Sequence, residues 1–126
     1  MARPPKIDGM PYFQHDSDAR HDYKVGALRH RFGPKGYAFY FILLEILYQS
    51  PRAEINVLAH ETIPYLAHEV GVTPEEFEEM MLFAINLNLF GKNEWEMEKT
   101  IVSAGVRRRF QQYTKRRVVN KKNEGQ

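Results

Sequence analysis

The chain has 126 residues, a length typical of a single domain. Its 43% hydrophobic and 27% charged residues match an ordinary globular protein. Because there is no cysteine, a disulfide framework, a thiolate zinc site and a cysteine nucleophile are excluded. The longest unbroken apolar run, residues 37–44, is far shorter than the roughly 20 residues that span a bilayer. We therefore expect a cytoplasmic protein with no membrane partner.

Charge is distributed unevenly along the chain. Residues 1–52 carry 8 basic and 5 acidic side chains, residues 53–98 carry 1 and 10, and residues 99–126 carry 9 and 1. The net charges are therefore +3, −9 and +8. This polarity indicates a basic end that contacts a polyanion, and the alternative is attraction between the two blocks within one fold. We predict nucleic-acid contact by the basic end.

Residues 1–17 predict an irregular arm, because prolines and a glycine interrupt any regular structure. Four apolar side chains are expected to attach this arm to a core: Ile7, Met10, Tyr12 and Phe13. Asp18 or Asp22 is placed to cap a first helix over residues 21–32, which Gly33 ends.

The next segment predicts the central element of the core. Pro34 suits the first turn of a helix over residues 35–49. This helix is apolar on almost every face, which is typical of a helix buried on all sides. Residues 53–57 then alternate between polar and apolar side chains and predict a short, half-buried strand.

A helix-turn-helix pattern follows. The first helix is expected over residues 63–70, with Thr62 as its cap and Gly71 at its end. Residues 73–76 supply a capping threonine, a proline and a capping-box glutamate for a second helix that runs to about residue 87. The core face of this helix is expected to contain Phe77, Met80, Met81, Ala84 and Ile85.

The remaining sequence predicts a wing and a basic helix. Residues 87–90 and 100–102 resemble two strands joined by a loop over 91–99, and residue 103 caps a helix over 104–119. With the strand at 53–57 this predicts a three-stranded antiparallel element. The fold class is thus mainly α: a winged helix-turn-helix with a small antiparallel β wing and a basic C-terminal helix. The predicted divisions are an arm (1–17), a winged-helix domain (18–103), the basic helix (104–119) and a disordered tail (120–126).

Several stretches carry a resemblance to a known family. In order along the chain they are MARPPK with YF, HDYKVGALRHRFGPKGYAFYFILLEILY, YLAHEVGV and NLFGKNEWEMEKTIVSAGVRRRF. The most specific pattern is FG-x-x-GY followed by LLE, with LF before the wing and S-x-x-V-x-R-R after it. Together they resemble the N-terminal winged-helix domain of phage and prophage replication-initiation proteins, which are similar to DnaD-like primosome proteins.

The resemblance implies a non-enzymatic, DNA-associated module of replication initiation in a bacterial host cell, with no cofactor. An alternative is a protein-interaction module that self-associates or docks onto a helicase loader, and a further one is a phage transcriptional regulator. We predict DNA binding, to duplex or single strand, through nine basic side chains of the arm, wing and last helix. They are Arg3, Lys6, Lys99, Arg107, Arg108, Arg109, Lys115, Arg116 and Arg117.

The second helix of the helix-turn-helix is acidic on its outward face, at Glu75, Glu78 and Glu79. Carboxylates near phosphates oppose binding, so we do not expect this helix to read the major groove. With Leu82 and Phe83 these glutamates are instead predicted to form a protein interface, and the alternative is that Phe83 packs under the wing. No catalytic set is present, and the histidines and aspartates of residues 15–22 match no zinc-binding spacing.

Overall fold

A computed structural model describes residues 9–13, 15, 17 and 19–124, with side chains up to residue 117. The fold is mainly helical with one small two-stranded antiparallel sheet, which confirms the predicted winged-helix-like fold class. After a 3₁₀ turn (Ala19–His21), the elements in chain order are α1 (Tyr23–Phe32), α2 (Pro34–Gln49), β1 (Glu54–Asn56), α3 (Thr62–Val70), α4 (Pro74–Asn86), α5 (Lys92–Glu98), β2 (Thr100–Val102) and α6 (Ala104–Glu124). Among the described residues, no helix has the length and apolar character needed to cross a membrane.

The predicted N-cap of α1 and the predicted boundary between α1 and α2 are confirmed. The Asp22 side chain accepts hydrogen bonds from the backbone N–H groups of Lys24 and Val25. Gly33 has a φ of 72°, a backbone conformation that favours glycine, and Pro34 starts α2 directly after it. The two helices therefore form a tight hairpin.

Helix α2 is the central helix, but it is not buried on every face. One side of it is buried, and this side includes Phe39, Leu43 and Leu47. A second side carries Tyr37, Tyr40 and Phe41, which remain half-buried. An all-apolar sequence does not distinguish these two sides, because aromatic side chains at a surface look the same as those in a core.

Helices α3 and α4 form the predicted helix-turn-helix. Gly71 ends α3 in the left-handed conformation at φ 88°, and the Thr73 hydroxyl accepts from the backbone N–H of Glu76 at 3.1 Å in a capping box. All five residues predicted for the core face of α4 are buried. The predicted cap of α3 is wrong: Thr62 lies inside the helix, and Glu61 at the cap position makes no side-chain cap bond.

The predicted wing is partly wrong. β2 forms where expected, but it pairs with β1 alone, with Ile55 opposite Ile101. Residues 87–90 form a turn with Asn88 at φ 61°, and the expected loop over 91–99 contains the seven-residue helix α5. In place of the predicted third strand, a hydrogen bond from the Gly91 N–H to the Val102 carbonyl oxygen, at 3.0 Å, joins the end of this turn to β2.

The described part of the arm packs against α2. Met10 is buried, and the Phe13 ring stacks on Tyr48 with centroids 4.6 Å apart, as predicted. Tyr12 is 84% exposed, so the prediction that it attaches the arm is wrong. Ile7 lies outside the described residues.

Helix α6 is longer than predicted. The Ser103 hydroxyl accepts from the Val106 N–H at 3.4 Å at its start, and Val106 is buried while Phe110 and Tyr113 pack against the core. The helix continues to Glu124, past the expected end at residue 119 and through most of the expected disordered tail. No proline or glycine interrupts residues 106–124, so no local signal ends the helix earlier.

Candidate nucleic-acid interface

The three consecutive arginines of α6 point in different directions, because successive helical residues are about 100° apart. The Arg107 guanidinium lies 3.3 Å from the Glu54 carboxylate of β1. The Arg109 guanidinium donates to the Tyr48 hydroxyl of α2. Only Arg108 of the three is exposed without a side-chain partner among the described residues. Arg107 and Arg109 therefore each contact another element of the domain.

Tyr40 of α2 is half-buried and packs against the core. Burial raises the pKa of the Tyr40 hydroxyl, with smaller contributions in the same direction from Asp22 and Tyr48, while Arg109 opposes them. Tyr40 therefore stays neutral through the physiological range and acts here as a packing group.

After Tyr113, the described side chains of α6 are exposed around the helix. Residues 114–117, which follow Tyr113, are all exposed. The seven-residue spacing puts Arg108 and Lys115 on one side of the helix about 10 Å apart, with the exposed Gln111 and Gln112 between them. We call Arg108, Lys115, Arg116 and Arg117 the basic segment. Its position makes these four charges accessible to a polyanion.

We expect the contact between Arg107 and Glu54 to contribute little stability. Both side chains remain more than a third exposed, and pairs of this kind are typically worth about 0.2–1 kcal/mol. A double-mutant cycle of Arg107→Gln and Glu54→Gln, followed by urea unfolding, should give a coupling energy in this range. A coupling of several kcal/mol would show that the pair is a main anchor of α6.

Lys99, a further predicted DNA contact, lies apart from the basic segment. The Lys99 ammonium lies 5.8 Å from the centre of the Trp95 ring, at the end of β2 opposite to α6. Arg3 and Lys6 lie outside the described residues. Six of the nine predicted DNA-binding residues therefore lie on α6, two of them in contact with the rest of the domain, and Lys99 lies apart from them.

The outward face of α4 is acidic and exposed, as its sequence predicts, at Glu75, Glu78 and Glu79. Glu79 lies 3.5 Å from Arg31, with both side chains more than half exposed. Leu82 is 57% exposed on this face. We call Glu75, Glu78, Glu79 and Leu82 the acidic face.

Phe83, the remaining residue of the predicted protein interface, is half-buried and packs edge-on against Phe32 of α1, with ring centroids 5.5 Å apart. The Arg31 guanidinium lies 5.9 Å from its ring centre. The neighbour of Phe83 is thus α1, and not the wing. Among the described residues, the two ion pairs neutralise only a small part of the acidic middle segment.

A second basic region was missed by the sequence analysis. Arg20 and Arg29 line one cleft together with Pro34 and Tyr37. The sequence does indicate this basic region, because residues 19–35 carry five Lys/Arg and one aspartate. The net charge of residues 1–52 conceals this local excess, because aspartates of the arm offset it.

Comparison with known proteins identifies a family for this chain. The family model described as Lin1244/Lin1753-like, N-terminal, matches residues 12–106, which is most of the chain and ends at the start of α6. No curated protein and no solved structure matches significantly. The chain belongs to the Lin1244/Lin1753-like N-terminal domain family.

Proposed function

We propose that this protein binds DNA without catalysis, as a module of phage-type replication initiation, and that the basic segment of α6 makes the main contact. The observation that carries the proposal is the exposure of Arg108, Lys115, Arg116 and Arg117 on a helix that extends beyond the core. Close like charges repel one another, and phosphates relieve that repulsion while releasing their counterions. The replication context comes from the sequence resemblance alone.

The expected mode of binding is contact with the backbone of DNA. Arginine and lysine bind phosphate oxygens, and the exposed Gln111 and Gln112 add neutral hydrogen-bonding groups on the same side of α6. Such contacts position a protein on DNA and carry little sequence information. We therefore expect affinity that depends strongly on salt and weakly on sequence.

The acidic face of α4 supports DNA contact through α6, and not through α4. In a typical helix-turn-helix protein, the second helix enters the major groove. Here that helix presents exposed glutamates at 75, 78 and 79, which would lie close to phosphates in such a complex. Approach of DNA to α6 avoids that repulsion.

A matched pair of variants tests the proposal. R108Q/K115Q removes two charges from one side of α6, and R52Q/K92Q removes two exposed charges elsewhere. At about 0.1 M salt we expect R108Q/K115Q to weaken binding of a random duplex by roughly tenfold or more, because two phosphate contacts are lost. R52Q/K92Q should change it by less than about twofold. Fluorescence anisotropy measures both, and equal losses in the two variants would contradict a site on α6.

A second candidate function is protein docking by the acidic face. Leu82 supports it, because this large apolar side chain is 57% exposed one helical turn after the exposed Glu78 and Glu79. A basic surface would complement this face, and the basic segment of a second copy has the required charge. The candidate partners are therefore another copy of this chain or a basic surface of a replication protein such as a helicase loader.

The variant E75Q/E78Q/E79Q separates the two roles of α4. We expect DNA affinity to remain nearly unchanged, and the mass measured by light scattering at low salt to fall if copies associate through this face. If α4 approaches DNA, the same variant should bind duplex more tightly, because repulsion is removed. A loss of DNA affinity would contradict both accounts and would mean that the glutamates contact bases.

A further inference from the structure

A cleft of about 300 Å³ lies beside the α1–α2 hairpin, at the N-terminal end of α2. Its lining comes from three neighbouring elements: Arg20 from the 3₁₀ turn, Arg29 from α1, and Pro34 and Tyr37 from α2. None of the described side chains of α6 lines it. The cleft is therefore separate from the basic segment.

The described lining of this cleft includes two arginines and no acidic side chain. Residues 19–35 carry five Lys/Arg and a single aspartate, Asp22. The Asp22 carboxylate already accepts two backbone hydrogen bonds at the start of α1. The first turn of α2 contains no acidic residue, so the positive end of its helix dipole adds to the same potential. Two guanidinium groups in such a setting suit an anion, and phosphate above all, because their planar donors match its oxygens.

The wall of the cleft that Tyr37 forms is aromatic and held in place. The Tyr37 hydroxyl lies 3.1 Å from Nε2 of His15, and the His15 ring stacks on Phe41 with centroids 4.1 Å apart. The Tyr37 and Phe41 rings are themselves 4.8 Å apart. The Tyr37 ring offers a surface for a flat apolar group such as a base. The two arginines beside it supply hydrogen-bond donors for an anion.

We propose that this cleft binds a nucleotide, with Arg20 and Arg29 on its phosphate and the Tyr37 ring against its base or sugar. The same chemistry is offered by a free mononucleotide and by one nucleotide of a single strand. Nucleotide binding in this cleft does not depend on duplex binding by α6. The residues of the cleft have no role in the DNA contact proposed for α6.

Titration of the ¹⁵N-labelled full chain, followed by amide chemical shifts, tests the cleft with three probes: inorganic phosphate, dTMP and the oligonucleotide (dT)₆. We expect dTMP to shift amides around Arg20, Arg29 and Tyr37 and to bind at least threefold more tightly than phosphate. R20Q/R29Q should weaken dTMP binding at least tenfold, whereas the control R52Q/K92Q, which removes two exposed charges outside the cleft, should change it less than threefold. Equal losses in these variants, or no shifts near the cleft, would overturn the proposal.

Two variants test the aromatic wall. Tyr37→Leu removes the ring and should weaken dTMP binding with little effect on phosphate, whereas Tyr37→Phe keeps the ring and should bind dTMP within twofold of the parent. Thermal melting of each variant identifies any loss that is due to unfolding. If Tyr37→Leu, while folded, bound dTMP as tightly as the parent, the assignment of a nucleotide would be wrong.

The oligonucleotide identifies the source of the nucleotide. Binding of (dT)₆ at least tenfold tighter than dTMP, and weakened by R20Q/R29Q, supports a single strand, while equal affinities support a free mononucleotide. R108Q/K115Q should leave dTMP binding unchanged. Failure of the cleft and failure of the α6 proposal are thus distinguishable, because each has its own variant and its own ligand.

Discussion

Replacing Phe39 by alanine is expected to lower the free energy of unfolding by about 3–5 kcal/mol, the range for truncation of a fully buried phenylalanine. Phe39 has no exposed surface. Its ring lies 5.4 Å from that of Phe77 in α4 and 6.3 Å from that of Phe90 before α5. Loss of the ring thus leaves a cavity where three parts of the fold meet, and urea unfolding measures the cost.

Leu44→Ala on the same helix is the comparison for this prediction. Leu44 is 8% exposed and lies nearer the surface, so we expect a cost near 2 kcal/mol, at the low end for leucine truncation. An unchanged urea midpoint for Phe39→Ala would mean that α2 lies outside the core, and the account of the fold would be wrong.

Gly36→Ala is expected to destabilise the protein, although alanine normally favours a helix over glycine by about 1 kcal/mol. A Cβ atom at Gly36 would lie 2.3 Å from the carbonyl oxygen of Leu28, and backbone atoms cannot move aside as a flexible side chain does. The mutation therefore forces α1 and α2 apart. We expect a loss of about 1–3 kcal/mol or more, as for other overpacked sites.

Gly26→Ala in α1 is the matched control. The nearest atom to a Cβ at Gly26 is the Arg20 carbonyl oxygen at 3.7 Å, which is an ordinary contact. This substitution should therefore stabilise the protein by up to about 1 kcal/mol. Thermal melting of both variants checks the pair, and stabilisation by Gly36→Ala would show that the helices do not approach as closely as described.

Helix boundaries were predictable where the signal is local. A cap such as Asp22, a left-handed residue such as Gly71 and a capping box at Thr73 act within a few residues, so their sequence is sufficient evidence. The core face of α4 was predictable for the same reason, since helical periodicity is a local property.

The wing was mispredicted because its signals are ambiguous. Residues 87–90 are apolar because part of this turn packs into the core, with Phe90 almost fully buried, and a short apolar run does not distinguish a strand from a buried turn. Helix α5 has no side-chain cap bond and buries mainly Trp95, so it lacks the periodic pattern of a longer helix.

The site was only partly predictable because charge patterns do not reveal distant partners. The sequence identifies α6 as basic, but the Glu54 contact of Arg107 and the Tyr48 contact of Arg109 join residues more than fifty positions apart. The cleft of Arg20, Arg29 and Tyr37 likewise depends on how the 3₁₀ turn packs beside α1 and α2. These contacts assign a structural role to two of the predicted DNA-binding arginines.

The salt dependence of duplex binding tests the central claim most directly. The logarithm of the binding constant should fall linearly with the logarithm of the salt concentration, with a slope near −0.9 for each phosphate contacted. If the four residues of the basic segment each contact one phosphate, R108Q/K115Q/R116Q/R117Q should make the slope shallower by about 3 to 4. Parallel lines for this variant and the parent would contradict the account, because α6 would then contribute no phosphate contacts.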